Sequence, residues 1–224
     1  MLYGSQLWIA QYLQVVLGLS PLRAGIYTIP SVLGYLAGAT LAPAAARRLS
    51  PHRAIGTGLI VVCTGFALLA GIAGGHGLAL VIAGSVVFSI GLAPVYALTT
   101  EIIVASVPPE RAGTASAIAE TGAELGGALG IAVLGSLGVA VYRHLMSHAD
   151  LPPQAASEVG GTIGSASALA RTLPAASGHS LMTAAAGAFT QAFAVMSGVS
   201  AAIIAVVAVA AFRLVRNARI GPHS

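Results

Sequence analysis

Apolar stretches recur along the chain at helix-length spacing, separated by short polar breaks. A helix that crosses a bilayer needs about 20 mostly apolar residues. Six stretches meet that need, at residues 2–19, 24–43, 54–73, 78–104, 113–141 and 182–212. Ser20-Pro21-Leu22-Arg23 ends the first, and a basic loop from Arg47 to Arg53 ends the second. Gly74-Gly75-His76-Gly77 and Ser106-Val107-Pro108-Pro109-Glu110-Arg111 separate the next two. Pro30 and Pro94 fall inside spans, where they are expected to kink the helix. Residues 142–181 are mixed in character and read as a loop, with Pro152-Pro153 and Ser/Ala/Gly-rich stretches suiting a short surface helix or loose segment.

Composition turns this pattern into a fold class. Of the 224 residues, 57% are hydrophobic and 7% are charged, against about 25% charged in soluble domains. Lipid must therefore cover most of the outside. The expectation is a single all-α integral membrane domain, a bundle of six transmembrane helices without a soluble catalytic domain. All ten basic residues are Arg, and the net charge is +4. They sit between apolar stretches and read as topology anchors rather than as a nucleic-acid surface. If the spans alternate, Arg47, Arg48, Arg53, Arg111, Arg213, Arg216 and Arg219 share one side. Arg23, Arg143 and Arg171 share the other. The excess puts the first side, with both termini and the tail 213–224, in the cytoplasm, and the loop 142–181 outside. Cys63, the single cysteine, reads as a small buried hydrophobe.

The fifth span carries the chemistry. Glu120 and Glu124 are four residues apart and share a helix face with Gly113, Ser116 and Gly127. Gly122, Gly126 and Gly130 form a second stripe, a small-xxx-small pattern suited to close helix packing. The acidic stripe is thereby turned away from that neighbour, toward a watery cavity. At 1.5 Å per residue the two acids lie about 10 and 17 Å in from Gly113, short of the middle of a roughly 30 Å core. A carboxylate there costs several kcal/mol unless hydrated, paired or protonated. Two of them one turn apart resist double ionisation, which suits exchange of a proton for a cation. The alternative is a structural pair hydrogen-bonded to its neighbours. Glu101 and Glu110 sit near the cytoplasmic boundary and read as topological.

Other polar residues within the spans have two readings each. Gln11 and Gln14 share a face and either line a cavity or hydrogen-bond between helices. Tyr27, Tyr35 and Tyr96 either stack on a flat cationic ligand or pack as aromatic anchors. His144 and His148 have the spacing of helical metal ligands but lack a third, so a solvated loop is the better reading and no metal is expected. No H-E-x-x-H motif, Walker loop or strand-borne G-x-G-x-x-G occurs, and Lys is absent. Neither an enzyme nor a cofactor is expected.

Two motifs are similar to signatures of one family. Gln11-Tyr12-Leu13-Gln14-Val15-Val16-Leu17-Gly18-Leu19-Ser20-Pro21-Leu22-Arg23-Ala24-Gly25 is the first. Val107-Pro108-Pro109-Glu110-Arg111-Ala112-Gly113-Thr114-Ala115-Ser116-Ala117, continuing through Glu120-Thr121 and Glu124-Leu125-Gly126-Gly127, is the second, and Ala188-Phe189-Thr190 also fits. They resemble the fourteen-helix drug:proton antiporters of the major facilitator superfamily. The resemblance implies one half of that fold, family helices nine to fourteen, with the N-terminal six-to-eight-helix half missing. It implies export of lipophilic, often cationic small molecules in exchange for protons. It also implies that Glu120 and Glu124 lie on a helix open to substrate and protons. A non-transporting remnant or an interaction partner of a full transporter is the second reading. An intramembrane hydrolase is the third, disfavoured because both carboxylates sit on one helix.

The Arg distribution predicts a labelling pattern. In a Cys63→Ala background, Ala156→Cys should react with an impermeant thiol reagent added to intact cells, and Pro51→Cys should not. The reverse pattern would sink the orientation.

Overall fold

A computed structural model describes residues 2–75, 77–149, 151 and 161–218. The described residues form helices and no strand. Helix α1 is Leu2–Gln11 and runs into a π-helical turn, Tyr12–Val16. Then follow α2 (Pro21–Arg48), α3 (Pro51–Ala70) with a 3₁₀ turn at Gly71–Gly74, and α4 (Gly77–Ala105). A 3₁₀ turn at Pro109–Arg111 leads into α5 (Ala112–Ser147). The chain continues with a short α6 (Ile163–Ala170) and ends on α7 (Ala175–Ala218).

Five of these helices are long and apolar enough to cross a membrane. The first expected span is shorter than its apolar run. Its ten α-helical and five π-helical residues stop at Val16, because Gly18 turns the chain with φ +65°. Ser20 then caps α2 by accepting from the Arg23 N–H, and Pro21 fills the first helical position. The other spans extend beyond their expected ends. Helix α5 runs six residues past 141, and α7 starts seven residues before 182 and continues into the expected tail. At 44 residues α7 is about 66 Å long, about twice the hydrocarbon thickness, so both helices project beyond the apolar window that defines a span. The segment expected as a loop, 142–181, therefore holds the end of α5, all of α6 and the start of α7. Pro152 and Pro153 lie outside the described residues.

Helix α4 is the centre of the packing, and glycines let it be so. It runs antiparallel to α3 after a turn at Gly75, whose φ is +99°. Gly58 faces Gly91 and Gly65 faces Gly84, each pair two turns from the other on both helices. A Cβ on Gly65 would lie 2.8 Å from the Gly84 carbonyl oxygen and 2.5 Å from the Phe88 nitrogen. A Cβ on Gly91 would lie 2.6 Å from the Gly58 oxygen. The two backbones thus touch directly. On the other flank α2 approaches α4 through Gly34 and Gly38, and a Cβ on Gly38 would overlap the Ile90 carbonyl. That carbonyl is the one Pro94 leaves without a helical donor, since proline has no N–H.

Helix α7 packs along α3 and α5, and α1 fits between α5 and α7. Trp8 stacks on Phe189 of α7 with ring centroids 4.6 Å apart, and Phe193 lies against both Trp8 and Tyr12. Phe66 stacks on Phe88 across the α3–α4 seam. Helix α6 is closed by a capping box at Thr162 and Ser165 and packs on α7. The phenyl ring of Phe212 sits over Gly56, so the end of α7 reaches the start of α3. Arg53 and Arg213, both exposed, flank that contact.

The glycine seam is testable. Gly65→Val forces a branched side chain into the Phe88 backbone and should cost about 1–3 kcal/mol or prevent folding. Gly126→Val, at a position with open space around its Cα, should change the stability of this chain by no more than about 0.5 kcal/mol. Denaturant-induced loss of helical circular dichroism in mixed micelles measures both. Equal effects would contradict the seam.

Candidate functional site

Helix α5 is two different helices end to end. From Leu134 onward it is seated in the bundle through Leu134, Gly138, Tyr142 and Met146, one per turn. Between Gly113 and Val133 only Ala115 is buried. Ile118 and Val133 are 66% and 65% exposed, and Leu125 and Leu129 are exposed with them. Glu120, Glu124 and Ser116 are also exposed, on the opposite side of the same stretch.

A neighbouring helix reaches this stretch with a polar group. The Tyr96 phenol of α4 donates to Glu120 Oε2 at 2.5 Å. Tyr35 of α2 and Glu124 lie within electrostatic range of the same phenol. One of the expected aromatics, Tyr96, therefore meets the expected acids, and Tyr35 of α2 lies near Tyr96 itself. Tyr27 is exposed on α2, eight residues before Tyr35 and so two turns nearer the other end. Gln11 is half-buried and Gln14 exposed, at the junction of α1 with the π turn. Trp8 and Tyr12, their neighbours, are buried with Ser5, Ile9 and Leu13, and they join Phe189 and Phe193 in an aromatic cluster that reading α1 for its amides does not reveal.

The glycine stripe of α5 behaves differently from its expected role. Gly122 and Gly126 have nothing within 4 Å of where a Cβ would stand, so among the described residues no helix packs on them. Gly130, one turn further, lines a small cavity with Ser5, Trp8 and Ser200 and marks where α5 enters the bundle. The backbone-to-backbone glycines lie instead in α2, α3 and α4. Arg47, Arg48, Arg53 and Arg111, the expected topology anchors, are exposed. The His144 and His148 rings lie 4.6 Å apart, with His148 Nδ1 2.8 Å from the His144 carbonyl oxygen. Among the described residues no three metal-ligating side chains gather.

A bundle of long apolar helices, opened along α2 and α5 with acids on the open side, is the form of a membrane transport domain. The sequence profile of the Major Facilitator Superfamily matches residues 1–146, and the chain belongs to that superfamily. Over 208 residues it is 37% identical to the multidrug efflux pump LfrA of Mycolicibacterium smegmatis, covering 91% of this chain and 40% of that protein. It is 32% identical over 198 residues to the methyl viologen resistance protein SmvA of Salmonella typhimurium, covering 84% of this chain and 38% of the relative. It is 30% identical over 134 residues to the tetracenomycin C resistance and export protein of Streptomyces glaucescens, covering 60% and 25%. The chain thus spans two fifths or less of each of these curated relatives.

Proposed function

We propose that the chain is the C-terminal half of a proton-coupled efflux transporter in the cell membrane, working by alternating access with an N-terminal half of six to eight helices. Its cargo is lipophilic, often cationic small molecules. The observation that carries this reading is the uncovered stretch of α5 from Gly113 to Val133, which holds Glu120 and Glu124 on one side and large apolar residues on the other. A helix arranged so is completed by a second body: the apolar and glycine face packs on it, and the acidic face lines the space between. Facilitator transporters bind substrate near the midplane between two such halves that rock against each other. The names of the relatives, which are export and resistance proteins, support the same reading.

Exchange follows from charge. A proton and an organic cation each neutralise the same carboxylates, so the arrival of one weakens the hold on the other. The exposed ring of Tyr96 beside Glu120, with Tyr35 near it, adds a surface on which a flat cation stacks. Both termini are cytoplasmic in this reading, with the Arg-rich ends of α2, α3, α5 and α7 on that side.

The test is transport by halves. The chain expressed alone should export no cationic dye, whereas co-expression with a family N-terminal half should restore export. In that assembly Glu120→Gln or Glu124→Gln should lower export of cations about tenfold, the equivalent of one lost charge contact of about 1.4 kcal/mol. Neutral compounds should be exported as before. Proton-driven efflux by the purified chain alone would overturn the half-transporter reading. Equal loss for cations and neutral compounds would reduce the acids to a structural pair.

A further inference from the structure

The bond from Tyr96 to Glu120 contributes little to holding the bundle together. Tyr96 is 42% exposed and Glu120 is exposed, and α4 is already fixed by backbone contacts on both flanks. Gly91, Ala93 and Leu98 around Tyr96 are buried, and Val95 touches Gly58 of α3. The Tyr96 backbone is thus firmly placed, while its phenol extends out of the packed region to one carboxylate oxygen of α5. The phenol is a donor to a group that carries charge, the stronger class of hydrogen bond. It adds no charge of its own, so it satisfies the carboxylate without neutralising it.

We propose that Tyr96 is a positioning residue for Glu120: its phenol O–H holds the carboxylate oxygen that an arriving cation must take. The inference rests on reading Glu120 as a cation-binding group and adds a competitor to it. When the site is empty, Glu120 is turned to α4 and the two helices are tied. A cation that pairs with Glu120 draws the carboxylate away from the phenol and unties them. Tyr35 from α2 and Glu124 from α5 also act on the phenol, and neither supplies the positive charge that would make the phenol unnecessary. The tie lowers the affinity of the empty site, which suits a transporter that must also release its cargo.

Tyr96→Phe isolates this effect, since it removes one hydroxyl and keeps the ring with its packing and its face for a cation. With the full chain in lipid nanodiscs, ethidium fluorescence measures cation binding and Nile red serves as the neutral probe. Tyr96→Phe should bind ethidium about three- to tenfold more tightly, the net scale of one exposed hydrogen bond. Nile red binding should not move. In a Glu120→Gln background the same substitution should change nothing, because no charge remains to compete for. Unchanged or weaker ethidium binding by Tyr96→Phe would overturn the inference, as would the same gain in both backgrounds or a parallel change for Nile red. Those results leave the reading of Glu120 standing provided that Glu120→Gln alone weakens ethidium binding. If Glu120→Gln alone binds ethidium like the unaltered chain, the reading of Glu120 falls and the inference falls with it.

Discussion

Helix α4 lies against α3 and α2 with no side chain between the backbones, and the rest of the arrangement depends on that approach. In a bilayer the hydrophobic effect does not drive helices together, so association relies on close packing over small residues. Gly58 and Gly65 against Gly91 and Gly84, and Gly34 and Gly38 against α4, provide it. The three helices form a rigid slab, to which α7 adds along α3. Pro94 is tolerated in the middle of this slab because the carbonyl it deprives of a donor lies under Gly38.

A slab of this kind leaves edges. Helix α2 is joined to it by a narrow stripe of small residues, Ala24, Ser31, Gly34, Gly38 and Ala42, with Leu22, Ile26, Val32, Leu33 and Leu36 exposed around it. Helix α5 is seated in the bundle through one buried side chain per turn only from Leu134 onward, and before that it has Ala115 buried and the Tyr96–Glu120 bond to α4. Lipid is an adequate solvent for the apolar part of these edges but a poor one for Glu120 and Glu124. The combination of bare glycines, bare apolar side chains and acids on one stretch of helix is the physical case for a second half, and the family's two-body architecture meets it.

The sequence made the class and most spans legible, because a run of about 20 apolar residues has few other uses. It also made Glu120 and Glu124 legible, since charge within such a run is costly. Two matters were not. The helix ends at Ser147 and Ala175 fall in the mixed segment 142–181, where hydropathy carries little signal. The role of each glycine was hidden as well. The tight four-residue spacing of Gly122, Gly126 and Gly130 drew attention to α5, whereas the seams of α3 and α4 use a seven-residue spacing split between two helices. That pairing becomes visible only when positions 58 and 65 are matched in reverse against 91 and 84. The Tyr96–Glu120 contact spans 24 residues and two helices, and no local pattern announces it.

The central claim is that the two sides of α5 face different surroundings, water on the acidic side and a second half on the other. A thiol-accessibility scan measures this directly. Single-cysteine replacements along residues 116–133, in a Cys63→Ala background and co-expressed with a family N-terminal half, would be exposed to a small membrane-impermeant aqueous reagent in inside-out vesicles. Positions 116, 120, 124 and 127 should react, and an excess of a cationic substrate should slow 116 and 127, where both acids remain. Positions 118, 122, 125, 129 and 133 should be shielded. Reaction with the opposite periodicity, or uniform protection of all positions, would contradict the account.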